Sequence, residues 1–334
     1  MRKYIAVAAL MIMRLFLGTA NAQAQQDISQ LTAALRQSLD DAWWTGPMLA
    51  PSAATLPQGH VLVEPYLYDV TTQGQYDSSG TRHSTPHANY FGSLTYINYG
   101  LANRFTVGLI PTFGYNEVSN GPSSAGVGAG DLTAQAQYRL TQFREGTWVP
   151  TTSVAVQETL PTGKYDRLGD RLSDGFGAGS YTTTVAFYSQ TYFWLPNGRI
   201  LRMRFNVLPA FSRNVHIEDV SVYGTEEGFR GHAKPGSSIF VDAAWEYSVT
   251  RHWVLAFDVT YRYQSNTPVT GYNIADPTQT IRLNSGVSEA FGLAPAIEYN
   301  WNRKLGVVLG TRLIPAGRNT AATITPAIAI NFVH

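Results

Sequence analysis

The stretch Asp131–Leu140, which reads DLTAQAQYRL, contains the pattern that decides the fold. Apolar and polar side chains alternate along it, with Leu132 and Tyr138 on one face and Asp131 and Arg139 on the other. Because successive side chains of a β-strand point to opposite faces of the sheet, this alternation predicts a strand with one apolar and one polar face. The same alternation recurs at 200–211, 239–249 and 253–264.

Twelve segments of this kind follow one another from about residue 60 to the end of the chain. Short connections lie at 101–104, 141–146, 194–199, 250–252 and 301–304, and long ones at 71–89, 115–127, 161–179, 214–236 and 265–285; the last, 315–321, is brief where a long one is expected. Long loops at one rim and tight turns at the other are typical of a bacterial outer-membrane barrel, whereas a soluble sandwich has no reason to segregate them. The sequence therefore predicts an all-β fold, a closed antiparallel transmembrane β-barrel of about 12 strands.

The composition excludes several other classes of protein. Charged residues make up 14% of the chain, against about 25% in an average soluble domain. The formal net charge of +1 argues against a nucleic-acid partner, which would require a basic surplus. The absence of cysteine excludes a disulfide scaffold and a cysteine-based zinc site. The apolar strand faces are therefore expected to contact outer-membrane lipid.

Aromatic side chains cluster beside the short turns. Trp148, Trp194, Trp253 and Trp301 all lie there. Trp and Tyr favour the interface between membrane and water, so these residues predict an aromatic girdle at one rim. Closure of the sheet would also remove free strand edges, which lipid does not tolerate.

The first residues have the features of an export signal. Arg2 and Lys3 precede an apolar run that is interrupted at Arg14, and two small-x-small cleavage patterns follow within 20–24. The uninterrupted run is too short for an anchor helix, which needs ~20 apolar residues. We therefore predict a signal peptide at residues 1–22 and a location in the bacterial outer membrane.

The segment at 23–58 precedes the barrel, which is predicted for 59–334. Apolar residues recur three and four positions apart from Ile28 to Trp43, which predicts a short N-terminal helix over 27–43. A proline-rich connector follows it. The helix could rest near the periplasmic rim, or the segment could be a plug that enters the lumen or a handle for a periplasmic partner.

Charged side chains on the polar strand faces are the candidate lumen-lining residues: Glu64, Asp131, Arg139, Arg202, Arg204, Asp242, Glu246, Asp258, Arg262, Glu298 and Arg312. Acidic and basic members nearly balance, whereas a strongly ion-selective pore carries an excess of one sign. They could form cross-strand ion pairs that stiffen a narrow barrel. Alternatively they form a polar constriction, for which Arg139, Arg202 and Arg204 are the best candidates. Twelve strands predict a lumen narrower than that of the large porins.

An enzyme is the less favoured interpretation. The seven histidines include the loop residues His83, His87 and His216, but a Gly-x-Ser-x-Gly elbow and a P-loop are both missing from the sequence. We identify no catalytic residue, no metal site and no cofactor motif. An outer-membrane hydrolase would need a Ser or Asp within hydrogen-bond reach of a loop His.

Three short motifs carry a family resemblance: TLPQG at 55–59, GAGDL at 128–132 and LPTG at 160–163. In this order they resemble the outer-membrane family labelled "putative meta-pathway of phenol degradation", over roughly 53–334. The resemblance implies an outer-membrane β-barrel that admits small aromatic or hydrophobic compounds. It supplies no catalytic residues.

We therefore expect a barrel for passive passage or binding of small molecules. The alternatives are a hydrolase with a loop His, and a non-conducting structural or surface-interaction barrel that uses the loops at 161–179 and 214–236. Outer-membrane barrels usually end in an aromatic residue, and this ending resembles the signal that the barrel-assembly machinery recognises. We therefore expect that machinery to be a partner. Here Phe332 lies two residues before the final His334. The solute, an open or plugged lumen and the oligomeric state stay undetermined at this level.

Overall fold

The structure, a computed structural model, describes residues 36–334 and consists almost entirely of β-strands. The predicted signal peptide and residues 27–35 of the predicted helix lie outside these described residues. The rest of that predicted helix forms only one 3-10 turn, Leu39–Asp41, and Ala42 after it is already extended. The turn ends early because the chain binds the barrel rim at once, where the Trp43 N–H donates to the Arg251 carbonyl at 3.4 Å. None of the described helices is long and apolar enough to cross a membrane.

Twelve antiparallel strands form the barrel. They are β1 (Val61–Tyr76), β2 (Ala88–Ala102), β3 (Phe105–Ile110 and Thr112–Val118, interrupted at Pro111), β4 (Leu132–Thr141), β5 (Thr151–Leu160), β6 (Thr182–Trp194), β7 (Ile200–Ser212), β8 (Ser238–Ser248), β9 (Trp253–Gln264), β10 (Ser288–Asn302), β11 (Leu305–Arg318) and β12 (Thr320–Val333). Each strand pairs with the next, and β12 returns to pair with β1, where Tyr66 lies opposite Ala329. The closed barrel that the sequence predicts is therefore confirmed.

The outer face of the barrel is an apolar belt. Leu67, Phe187 and Leu309 are 61%, 42% and 55% exposed, although each is a large apolar side chain in the middle of a strand. Such a belt is stable only where acyl chains cover it. Trp253 and Trp301 lie exposed beside short turns, as the predicted girdle requires. The fold and its surface are those of an outer-membrane β-barrel.

Several connections differ in length from the sequence prediction. The short turn predicted at 141–146 is longer, because β4 ends at Thr141 and β5 begins only at Thr151. Much of the stretch predicted as a long loop at 71–89 is strand, because β1 continues to Tyr76 and pairs there with Arg82. The brief connection at 315–321 contracts further, because β11 continues to Arg318 and a single residue, Asn319, makes the turn with a φ of 45°.

Two of the long loops contain a sheet of their own, which the sequence did not predict. We call it the outer sheet; its strands are Val215–Glu218, Phe229–Ala233, Pro268–Asn273 and Asp276–Asn284. Its inner face is a small buried core that includes Ile217 and Phe229. The sequence analysis missed these strands because their period-two alternation is short and lies between turns.

Candidate functional site

The chain before β1 runs through the barrel lumen. We call residues 44–56 the inserted segment. At its start, the backbone N–H groups of Thr45 and Gly46 donate to Glu298 Oε2 at 2.7 and 3.1 Å. Thr45 Oγ1 also donates to Asn300 Oδ1 at 3.0 Å. Glu298 is fully buried on β10, so its carboxylate fixes the point at which the segment enters.

A second buried carboxylate holds the middle of the inserted segment. Asp258 on β9 accepts hydrogen bonds from the backbone N–H groups of Met48, Leu49 and Ala50, at 3.2 to 3.3 Å. Three consecutive amides can converge on one carboxylate because Pro47 and Pro51 flank them in an irregular, strand-free stretch. Hydrogen bonds to a buried charge are stronger than neutral ones, so this contact anchors the segment.

A cluster of two arginines and one glutamate completes this anchoring. Glu246 accepts hydrogen bonds from Arg202 Nε, at 2.6 Å, and from Arg202 Nη2. Arg204 Nε lies 3.1 Å from the same carboxylate. Arg204 Nη1 then donates to the Ala50 carbonyl oxygen at 2.7 Å. The ion pairs that the sequence analysis considered are thus present, and one partner also binds the inserted segment.

The end of the inserted segment crosses to the opposite side of the lumen. Asn206 Nδ2 donates to the Pro51 carbonyl at 2.9 Å, and Gln137 Nε2 donates to the Ser52 carbonyl at 3.0 Å. The Leu56 N–H donates to Thr106 Oγ1 at 2.9 Å. The segment therefore spans the lumen from β10 to β3, as the plug interpretation describes, whereas the turn before it binds the rim through Asp40 and Asp41. The proposed boundary between residues 58 and 59 stays a prediction.

The other candidate residues lie at different depths. Asp242, Arg262 and Arg312 lie on the inner faces of β8, β9 and β11, and Asp242 is fully buried with neither carboxylate oxygen hydrogen-bonded within the described residues. Arg139 lies at the turn end of β4, where its N–H binds the Arg104 carbonyl. Arg139 is therefore separate from Arg202 and Arg204, with which the sequence analysis grouped it.

Asp131 also lies away from the central cluster, at the long-loop rim. Its Oδ1 accepts from the Gly163 N–H at 2.9 Å and its Oδ2 from the Ala178 N–H at 2.8 Å. A Cβ at Gly177 would lie 2.7 Å from Asp131 Oδ1, so glycine is required for this close approach. Asp131 therefore fixes the loop between β5 and β6 over the barrel mouth.

The inner faces of β1 and β2 are aromatic. We call Tyr66, Tyr68, Tyr90 and Tyr96 the tyrosine wall. Tyr66 and Tyr96 pack edge to face with ring centroids 6.1 Å apart, and the rings of Tyr68 and Tyr90 lie 6.0 Å apart. A Cβ at Gly92 would lie 2.3 Å from the Tyr68 ring. This glycine therefore lets a tyrosine ring lie flat against the barrel wall.

The sequence analysis missed the tyrosine wall, although a signal was present. Tyr66 and Tyr68 share the phase of Glu64 and alternate with the lipid-facing Leu67. Tyrosine is counted as apolar when strand alternation is analysed, so it is assigned to the lipid-facing side. Only the phase of the neighbouring residues indicates that these tyrosines face the lumen. The sequence analysis also did not predict that the inserted segment binds the charged residues. The segment does so through backbone groups, which have no sequence signature.

A cavity of about 250 Å³ lies between the inserted segment and the tyrosine wall. Its lining includes Glu64 on β1, Tyr66 and Tyr96, and the amide side chains of Asn98 and Asn331. The inserted segment binds the charged residues of β7 to β10 and also packs Met48 against Tyr66, and the cavity lies beside these contacts. Charged groups of the lumen wall thus hold the backbone of the segment, and Tyr66 and Tyr96 of the tyrosine wall line part of the cavity.

The comparisons with known proteins agree with this architecture. Residues 65–325 match the family described as "Putative MetA-pathway of phenol degradation". The chain belongs to this family. Among solved structures, it is similar to the COG4313 outer membrane channel from Pseudomonas putida F1, with 16% identity, a TM-score of 0.67, and coverage of 86% of this chain and 100% of that chain. It is also similar to a TodX deltaS2S3 mutant monoaromatic hydrocarbon channel, with 12% identity, a TM-score of 0.43, and coverage of 89% and 97%.

The search of curated proteins gives no match. At these identities the structural likeness shows the fold, an outer-membrane β-barrel. The COG4313 protein is described as an outer membrane channel. Membership in the phenol-degradation family confirms the resemblance on which the sequence analysis relied.

In this family member, the outer sheet and the loop between β5 and β6 form one packed unit over the mouth. The N–H groups of Arg167 and Leu168 donate to the carbonyls of Glu218 and Val220 at 3.1 and 3.0 Å. The Arg167 guanidinium binds Glu218 and lowers the pKa of that carboxyl, and Arg230 lowers the pKa of Asp219 in the same way. These contacts hold the long loops in a defined position over the lumen.

The loop histidine His83 has an Asp within hydrogen-bond reach, but the neighbouring serine is not placed as the nucleophile of a hydrolase. His83 Nε2 lies 2.7 Å from Asp77 Oδ2, and Ser79 Oγ donates to Asp77 Oδ1 at 2.6 Å. The carboxylate thus lies between the hydroxyl and the imidazole, whereas a nucleophilic serine must contact the imidazole directly. These hydrogen bonds hold the pKa of Asp77 well below its usual range. In residues 36–334, no group of three His, Asp or Glu side chains could hold a metal ion.

Proposed function

We propose that this chain is a passive outer-membrane channel for small hydrophobic molecules, aromatic ones among them. The observation that carries the proposal is a cavity beside the anchored segment that the tyrosine wall lines in part. The inserted segment is anchored to buried charges on β7 to β10, and the cavity borders the tyrosine wall on β1 and β2. Aromatic rings in offset or edge-to-face contact favour apolar and aromatic solutes.

The charged side chains of the lumen support the same proposal, because they argue against an ion-selective pore. Arg202 and Arg204 share Glu246 and lie near a second carboxylate, Glu298, so the positive and negative charges of this cluster balance within the barrel. A pore for hydrophilic ions would instead present an excess of one sign. The family label, which refers to phenol degradation, and the hydrocarbon named for the TodX channel belong to the same chemical class as the solute we propose.

Several finer assignments belong to this proposal. We propose that the chain has no catalytic activity of its own, that its apolar belt contacts outer-membrane lipid, and that the barrel-assembly machinery inserts it. We place Arg202 and Arg204 at the constriction and Arg139 at the rim. Cleavage near residue 22 would place the inserted segment close to the N-terminus of the exported chain.

Uptake into proteoliposomes tests the proposed function. Vesicles that contain the purified chain are compared with empty vesicles for influx of phenol and of a sugar of similar mass. We expect faster phenol influx through the protein and little gain for the sugar. Equal rates in loaded and empty vesicles would contradict the proposal. They would favour the second candidate, a non-conducting barrel, because the inserted segment spans the lumen.

A further inference from the structure

The cavity beside the tyrosine wall contains a carboxylate without an ionic partner. Glu64 projects into the lumen from β1, and its hydrogen-bond partners are the neutral side chains of Tyr66, whose hydroxyl lies 3.2 Å from Oε1, and Asn331. No ion pair to Glu64 occurs within residues 36–334. A carboxylate removed from bulk water is stabilised by a cation, and here the protein side supplies none in direct contact.

The arginines of the same cavity wall are differently placed. Arg202 and Arg204 both bind Glu246, and Glu298 neighbours that cluster. Arg303 pairs with Asp40 at 3.2 Å. Arg202 and Arg204 thus share one acidic partner and Arg303 has its own, whereas Glu64 makes no ion pair within residues 36–334 and is able to bind a charged solute.

Aromatic rings surround this carboxylate. Glu64 lies opposite Tyr96 in the register of β1 and β2, and Tyr66 and Tyr188 also line the cavity. The faces of aromatic rings attract ammonium groups, and several rings beside a carboxylate form a common recognition site for amines. The amide side chains of Asn98 and Asn331 add neutral polar groups to the same wall.

We propose that this cavity, which we call the Glu64 chamber, binds the cationic head of a small aromatic or aliphatic amine. Glu64 pairs with the ammonium group, and Tyr66 and Tyr96 contact the apolar part of the solute. This inference rests on the proposed function, because it names a solute class for the same lumen. It predicts that a protonated amine is preferred over a neutral solute of the same shape.

Three probes of one shape test the proposal: benzylamine, benzyl alcohol and benzoate. The full exported chain is inserted into planar bilayers, and each probe is titrated while block of the ionic current is recorded. We expect the protonated amine to block at about tenfold lower concentration than the alcohol, and benzoate to block least. Equal block by all three probes, or stronger block by benzoate, would overturn the proposal.

Two matched variants locate the site. Glu64→Gln keeps the size of the side chain and removes its charge, so block by the amine should approach that by the alcohol. Glu117→Gln makes the same change on the exposed outer end of β3 and should keep the wild-type preference. A preference that survives Glu64→Gln contradicts the proposal. The wild-type comparison of probes still decides the case if that variant fails to insert.

The outcome for the neutral probe separates the two proposals. If benzyl alcohol and benzylamine block equally, the channel stands and the Glu64 chamber does not select amines. If no probe blocks and phenol influx into vesicles is absent, the proposed function fails together with this inference.

Discussion

Arg204 donates from Nη1 to the carbonyl oxygen of Ala50 at 2.7 Å, in the centre of the barrel. The same guanidinium lies 3.1 Å from Glu246 through Nε. One side chain thus connects an ion pair of the barrel wall to the backbone of the inserted segment. Because Arg204 is 6% exposed, both contacts are protected from water and are stronger than surface pairs. Wall charges in this protein therefore determine where the segment lies.

Asp258→Asn should release the inserted segment. The amide has one oxygen in place of two and presents N–H donors to the N–H groups of Met48, Leu49 and Ala50. Each lost hydrogen bond to a charged group costs about 1.5–3 kcal/mol. We expect larger single-channel conductance and faster proteolysis near Trp44. Asp276→Asn, in an exposed hairpin of the outer sheet, is the matched control and should leave conductance unchanged.

The double substitution Arg202→Ala and Arg204→Ala should make the lumen cation-selective. It removes two positive charges and leaves Glu246 and Glu298 without their basic neighbours. Reversal potentials across a salt gradient report the ratio of cation to anion permeability, which we expect to rise. Arg139→Ala removes a charge at the rim and should change the ratio much less. An unchanged ratio in the double variant would mean that these arginines do not form the constriction.

Gly92→Ala should disturb the tyrosine wall. The added methyl would lie 2.3 Å from the Tyr68 ring, so the ring must move into the lumen. Overpacking of this kind costs about 1–3 kcal/mol. We expect a lower thermal midpoint and slower phenol influx into vesicles. At Gly126 nothing lies within 4 Å of an added Cβ, so Gly126→Ala should behave as wild type. A Gly92→Ala variant with wild-type influx would argue against passage along this wall.

The barrel could be predicted from sequence because strand alternation and loop lengths are local properties. The phase of Arg202, Arg204 and Glu246 follows from the same alternation, and these residues do meet in the lumen. The depth of each residue does not follow from it, since depth depends on where a strand begins. Arg139 was for this reason grouped with residues that lie elsewhere on the barrel.

The inserted segment could not be predicted in the same way. Its contacts use backbone N–H and C=O groups of residues such as Thr45, Met48 and Ala50, which every residue carries. The proline-rich composition excluded a central strand but did not indicate a position. The helix predicted over 27–43 rested on apolar spacing, whereas Asp40 and Asp41 bind arginines of the rim and Gln37 Nε2 binds Ser248. Tertiary contacts here outweigh helical periodicity.

The outer sheet should loosen in acid. Arg167 and Arg230 lower the pKa of Glu218 and Asp219 from their ordinary values of 4.5 and 3.8. A carboxyl whose folded pKa is lowered stabilises the fold at pH above its unfolded pKa, and this stabilisation disappears as pH falls through the folded pKa. We therefore expect full docking at about pH 5 and progressive loosening below about pH 4.

Hydrogen-exchange protection factors at 215–233, which correct for the intrinsic pH dependence of exchange, measure this change. The strands of the barrel serve as the internal control, and Glu218→Gln should show lowered protection already at neutral pH. Protection that stays constant down to about pH 3 would show that these ion pairs do not hold the loops over the mouth.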